Sequence, residues 1–209
     1  MYSMTSRSLK QTLGNLISYV LHPALVPLLF AALVIAQTSA PITRSQAMYL
    51  MVAIATGTYI FPGLLTVLLY RLGVISSLFM HKREDRKIPY VIGAVFYYFT
   101  AVAVRWVSSA KLIYLFLIGT CIVILILLIQ IPFYKASAHV AALSGMLAAV
   151  LVLSRLYGWS HWYLISVVLT IGLIAWARLE INAHTIVEVI AGFLSGFVPL
   201  FALFSLLVQ

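Results

Sequence analysis

Apolar residues run through this chain in blocks of roughly twenty, the length a helix needs to cross a bilayer core, with short polar stretches between them. The blocks 16–37, 47–70, 89–108, 112–133, 140–156, 163–177 and 183–208 predict seven spans. The segment 74–80 is apolar but too short to cross, so it is expected along the interface. His22-Pro23 interrupts the first block, and Pro23 should kink or start a helix there. His22 is expected in a local structural role, with lining a cavity as the alternative. Gly57 and Pro62-Gly63 permit a bend in the second block. A signal peptide is the competing reading of the first block. The run is too long for an ordinary signal core and shows no clear cleavage site. The pattern predicts an all-α, polytopic transmembrane helical bundle of about seven spans, in a single membrane-embedded domain over residues 1–209.

Composition agrees with this pattern. The chain is 64% hydrophobic and 8% charged, against about 25% charged residues in a soluble domain. Thirteen basic residues against 4 acidic ones give a formal charge of +9. That excess fits membrane orientation and an anionic lipid or phosphate partner. The cations are scattered among apolar spans, which excludes a nucleic-acid face. The one cysteine, Cys121, excludes an intrachain disulfide and a cysteine-rich metal site, and its apolar setting predicts packing. Gly192 and Gly196 form a small-residue stripe for close helix packing, within the chain or between copies. Oligomeric state is otherwise not encoded in any visible pattern.

The polar residues are not distributed evenly. One cluster, His81-Lys82-Arg83-Glu84-Asp85-Arg86-Lys87-Ile88-Pro89, lies between spans two and three. A second, Tyr134-Lys135-Ala136-Ser137-Ala138-His139, lies between spans four and five. The third, from Trp176 to Glu188, lies between spans six and seven. Two crossings separate each from the next, so all three face one side of the membrane. The opposite side holds only Arg44, Arg105, Lys111 and Arg155, with His161 as an interfacial histidine. Arg7 and Lys10 mark a basic N-terminal stretch on the site side, and Pro41 and Arg44 lie in the first opposite loop.

Pooled, the three clusters offer many cations, with His139 and His184 as titratable groups and Glu188 as a carboxylate beside them. Guanidinium groups bind phosphoryl oxygens bidentately. Two histidines, His139 and His184, can divide a displacement between nucleophile and general acid. If residue 183 onward is helical, His184 and Glu188 share one face, and the carboxylate can orient the imidazole. Arg178 stands six residues before His184, at the end of an apolar run, where an ionisable group is costly without a role. The bland alternative has Arg178 snorkelling, His184 capping a helix and Glu188 neutralising Arg178. No spaced set of acids offers a magnesium cage. Zinc on His139, His184 and Glu188 is disfavoured by the cations around them. The reading therefore assigns no metal and no cofactor.

These residues resemble the type 2 phosphatidic acid phosphatase superfamily of integral-membrane lipid phosphate phosphatases. The family carries, in order, Lys-x6-Arg-Pro, Pro-Ser-Gly-His and Ser-Arg-x5-His-x3-Asp. Here Ala177-Arg178, His184 and Glu188 match the third at its spacing. Ala136-Ser137-Ala138-His139 matches the second in part. Lys82, Arg86 and Pro89 match the first loosely, with the arginine away from the proline and the interval one residue short. The resemblance covers residues 82–192. It implies a six-span core, where two spans rather than three precede the first cluster here. It implies metal-independent hydrolysis of a lipid phosphomonoester or diphosphate. His184 would be the nucleophile, His139 the general acid, and Glu188 would stand in for the aspartate. Arg178, Ser137, Lys82, Arg86 and Lys135 would hold the phosphate, with Arg83 and Lys87 as alternates.

The implied partners are a lipid phosphate and the bilayer. A phosphotransferase on the same scaffold, a non-catalytic anionic-lipid binder or transporter, and a haem protein ligated by both histidines are the alternatives. The expected location is a bacterial inner membrane. Charge counting favours a cytoplasmic site, whereas the resemblance favours the outer face.

Overall fold

The computed structural model describes residues 9–38, 42–78, 80 and 82–208. Arg7, Pro41 and His81 lie outside the described residues. Among those described, every regular element is helical, and seven helical stretches are long and apolar enough to cross a membrane. The protein is an all-α integral membrane bundle.

Span one is two helices, α1 (Leu9–Val20) and α2 (Val26–Gln37), broken by a 3-10 turn over Pro23–Leu25. Pro23 starts that turn, as its missing N–H allows, and His22 Nδ1 accepts from the Ala24 N–H at 3.3 Å. The helix begins earlier than the apolar block suggests, because the stretch from Leu9 is amphipathic and packs on the sixth span.

Span two joins α3 (Arg44–Ile54) to α4 (Phe61–Arg71) through a π-helical turn over Ala55–Ile60. Gly57 lies in this turn, so close to Thr100 that a Cβ would collide with its Oγ1. The bend thus lets span two press against span three. The segment after α4 forms turns and bends, with Ile75 buried. Span three is α5 (Lys87–Val104), led by a 3-10 turn over Glu84–Arg86; span four is α6 (Lys111–Gln130).

The last three spans are α7 (Ala138–Tyr157), α8 (His161–Glu180) and α9 (Ile186–Leu207). The α7–α9 pair is the most extensive helix contact, and α7 is the central helix, with most of its residues buried. The glycine stripe is spent inside the chain. A Cβ on Gly192 would meet the Ser137 backbone oxygen at 2.5 Å, and one on Gly196 would collide with the Ala141 backbone oxygen. Without a hydrophobic drive between helices in lipid, such close backbone approach is what holds them together. Cys121 packs as expected, its Sγ 3.4 Å from the Ala94 carbonyl.

Candidate functional site: a cationic centre at one end of the bundle

The three polar loops meet. Arg83 Nη1 donates to the Pro132 carbonyl at 3.1 Å, and Arg86 Nη1 to the Ala136 carbonyl at 3.1 Å, tying the first cluster to the second. The Ser137 N–H donates to the Glu188 carbonyl at 3.0 Å, and the Lys135 N–H to Glu188 Oε1 at 3.2 Å, tying the second to the third.

Local chemistry sets the third loop. After α8, Asn182 adopts a left-handed conformation at φ +52°, which its short polar side chain tolerates. The chain then folds back, so that the N–H groups of Ala183 and His184 both reach the Arg178 carbonyl, at 3.0 and 3.3 Å. Thr185 is the N-cap of α9. Its hydroxyl accepts from the Glu188 N–H at 3.3 Å, and Glu188 Oε2 accepts from the Thr185 N–H at 2.9 Å. This is a reciprocal capping box. It corrects the expectation that one helix from residue 183 carries both His184 and Glu188. His184 precedes the helix, and the cap brings the two together from a turn.

His184 is 6% exposed. Its Nδ1 lies 2.9 Å from the Lys135 carbonyl and 3.4 Å from Glu188 Oε2. Both neighbours are acceptors, so Nδ1 carries the proton and Nε2 keeps its lone pair. The carbonyl is the nearer partner, so the tautomer is fixed by the second loop as much as by Glu188. No described residue hydrogen-bonds Nε2. Burial first, then the charges of Arg86, Arg178 and Lys135, hold the imidazole well below its usual range, so it stays neutral near neutral pH.

Around it lie cations with little to balance them. Arg86 is 7% exposed and touches the Tyr90 hydroxyl at 3.5 Å as well as the Ala136 carbonyl. Arg178 is part-buried, and its Nε is buried without a hydrogen-bond partner among the described residues. The two guanidinium groups act on each other, and both act on His184 and His139. The Lys135 ammonium is pushed below its usual range by burial and by Arg86, with Glu188 opposing the shift. The Ser137 hydroxyl is fully buried and likewise unpartnered. Glu188 is the one carboxylate named in these contacts, and the capping box and the Lys135 N–H already engage it.

Not every expected residue takes the expected place. Lys82 is exposed and does not line the cleft above His184; Arg83 does. That cleft, about 500 Å³, is bounded by Lys135, His184, Glu188, Asn182, Thr185 and Arg83 among others. Arg178, Arg86, Ser137 and His139 do not line it. His139, in the first turn of α7, has Nε2 3.2 Å from the Ser18 carbonyl of α1 and its ring centroid 6.0 Å from that of His22. Nε2 therefore carries a proton, because a carbonyl can only accept. Among the described residues no three of His, Cys, Asp and Glu converge as a metal ion would require.

Residue-type reasoning passed over Thr185 and Tyr90, and it named His22 without its partner. The first was available from Thr185-x-x-Glu188, the capping-box spacing, and the second from Tyr90 standing one helical turn after Arg86. The pairing of His22 with His139 gave no signal, because the two are over a hundred positions apart. No family model, curated protein or solved structure matches this chain.

Proposed function

We propose that the cationic centre binds the phosphate of a membrane lipid and hydrolyses it without a metal, as in the type 2 phosphatidic acid phosphatases that the motif residues resemble. One observation carries this reading. Arg178 Nε and Ser137 Oγ are buried without partners among the described residues, beside a second, 7% exposed arginine and with the carboxylate of Glu188 already engaged elsewhere. Buried donors and uncompensated cations are costly. An anion with several acceptor oxygens relieves both costs at once, and phosphate suits the guanidinium fork.

In the proposed reaction His184 Nε2 attacks phosphorus and the bond to the lipid oxygen breaks. The leaving oxygen takes a proton from His139. Water then attacks the phosphohistidine, the P–N bond breaks, and His139 recovers a proton from that water. The Lys135 carbonyl and Glu188 stabilise the Nδ1–H as positive charge develops on the ring. Arg178, Arg86, Lys135 and Ser137 stabilise the equatorial oxygens, which is most of what phosphoryl transfer asks of a protein. His139 must carry both protons to donate one, and the bound phosphate supplies the counter-charge.

A bacterial inner membrane is the compartment we infer, since helical spans rather than strands mark inner-membrane proteins of bacteria. The test is phosphate release from a panel of lipid phosphates in detergent with chelator present. Release that vanadate inhibits, with an acid-labile phosphoenzyme that vanishes in His184→Ala, supports the reading. Full turnover by His184→Ala overturns the nucleophile assignment, and headgroup binding without release leaves only a lipid-binding protein.

A further inference from the structure

A second cavity lies at bilayer depth. It is a groove of about 290 Å³ where α1, α2, α7 and α8 come together. The break in span one opens it, with His22 at its head. Tyr163 stands near the other end, its hydroxyl accepting from Gln37 Nε2 at 2.9 Å. Val26, Leu143, Met146 and Val167 form a buried floor, whereas Val20 and Leu29 are exposed, so the groove opens sideways into lipid. Two hydroxyls in the wall are already used within their own helix. Ser166 Oγ donates to the Tyr163 carbonyl at 2.9 Å, and Thr170 Oγ1 to the Ser166 carbonyl at 2.7 Å. The wall thus presents hydrocarbon.

The groove adjoins the cationic centre. His22 and His139 meet edge to face at 6.0 Å, and His139 bonds the Ser18 carbonyl just before the break. We propose that the groove holds the hydrocarbon chain of the lipid whose phosphate sits at the Arg178–Arg86 centre, and that the Gln37–Tyr163 pair limits the chain length that fits. This rests on the phosphate reading above. From Leu21 to Leu33 the span advances about 18 Å, which suits one chain lying within part of a hydrocarbon core about 30 Å thick. A helix of another protein, at least about 10 Å across, needs several times the groove's volume.

The bilayer is as apolar as the groove, so seating a chain there adds little affinity. What it supplies is alignment of the phosphorus with His184, and alignment acts on turnover. Chain-length selectivity should therefore appear in kcat more than in binding.

The test uses two probes with a diazirine midway along a single alkyl chain, one a phosphate monoester and one the matching alcohol. Each is irradiated with the full chain in lipid nanodiscs, and labelled peptides are mapped. Headgroup-dependent labelling of α2 and α7 around Leu29 and Met146, roughly tenfold over the alcohol and competed by vanadate, supports the proposal. Equal labelling by both probes, or labelling confined to α3, α4 and α5, identifies ordinary surrounding lipid and overturns it. Leu29→Trp, at the exposed rim, should lower the ratio of long-chain to short-chain turnover roughly tenfold; an unchanged ratio also overturns it. Headgroup-dependent labelling without any phosphate release keeps the groove and removes the hydrolase reading. Turnover with labelling elsewhere does the reverse.

Discussion

The two ends of this bundle handle charge in opposite ways. At one end Arg44, Arg105, Lys111 and Arg155 are all exposed. Each sits where a helix starts or stops, and water solvates it. At the other end Arg86 is buried, Arg178 and Lys135 are part-buried, and a neutral histidine lies among them. Helices need exposed cations at a membrane boundary for anchoring alone. They do not need cations that are turned inward and placed near one another, one of them, Arg178, with a buried Nε that no described residue hydrogen-bonds. The first end costs nothing to build; the second costs stability and is held in place by a dense set of ties between loops. The contrast separates anchoring from binding on a chain where both use the same residue types.

The largest test of that contrast is His184→Ala. Turnover of a lipid phosphate should fall more than about a thousandfold, because the proposed nucleophile is gone. The loop ties do not pass through its side chain apart from the Lys135 carbonyl, so the protein should still fold. Phosphate release in detergent, beside a thermal melt, separates lost chemistry from lost structure.

Next comes a matched pair. Arg178→Met removes a part-buried cation but keeps an apolar stem of similar reach. Turnover should drop about a hundred- to a thousandfold, as when one transition-state donor is lost. Thermal stability should hold or rise, because a part-buried charge whose Nε no described residue hydrogen-bonds is itself destabilising. Arg155→Met at the other end should change neither turnover nor stability by more than about 0.5 kcal/mol. If the two variants behave alike, the ends do not differ in kind and the binding-site reading falls.

Much of this contrast was legible in the chain. The seven spans follow from block length alone, and alternate-loop counting put the three clusters on one side before any contact was known. Arg178, His184 and Glu188 were visible as ionisable residues in apolar surroundings. What stayed hidden was direction. Nothing in Lys82-Arg83 says that the second of the pair turns over the cleft, since both lie in an irregular stretch without a helical period. The entry to α9 was misread because apolar pattern starts the helix at residue 183, whereas the Thr185 hydroxyl sets its first turn. The neighbourhood of His22 and His139 depends on how α1 leans on α7 and α8, and no local pattern encodes a packing angle between spans so far apart in sequence.

A smaller effect probes how the site end is held. Gly192→Ala places a methyl against the Ser137 backbone, where all three nearest atoms are main chain and cannot rotate away. The second loop must shift, at a cost of about 1–3 kcal/mol. Activity should fall with stability, since Ser137 and Lys135 move together. Gly172, beside which a Cβ meets nothing within 4 Å, is the control: its alanine variant should lose neither.

The pH response tests the same end without mutation. The His184 imidazole is held below its usual range by burial and by neighbouring cations. Its folded pKa therefore lies under its unfolded value of about 6.5. Above that value both states carry neutral imidazole, and the stability this group contributes is fully present. As pH falls from 6.5 toward the depressed folded pKa, the unfolded state takes the proton first, and stability declines by at most about 1.4 kcal/mol per pH unit for this one group. Melts in detergent between pH 7 and pH 5 should show the decline in the parent protein and less of it in His184→Ala. The proposed nucleophile, staying neutral, should not itself produce an acid limb near pH 6.5.

The smallest expected effect concerns the cap. Thr185→Ala removes one hydroxyl that accepts from the Glu188 N–H at 3.3 Å. An N-cap lost this way costs about 1 kcal/mol. The consequence for turnover should exceed that figure, because the same exchange holds the Glu188 carboxylate, which reaches both the Lys135 N–H and the His184 ring. Thr185→Ser restores the acceptor and should restore both stability and rate, whereas a cap that serves stability alone would let Thr185→Ala melt earlier yet turn over normally below its melting point. A capping loss at the other end offers the reference: Thr43 caps α3 with the same box, far from any buried charge. Thr43→Ala should cost a similar amount of stability and leave turnover alone, so the two caps, equal in chemistry, should part only in what their loops carry.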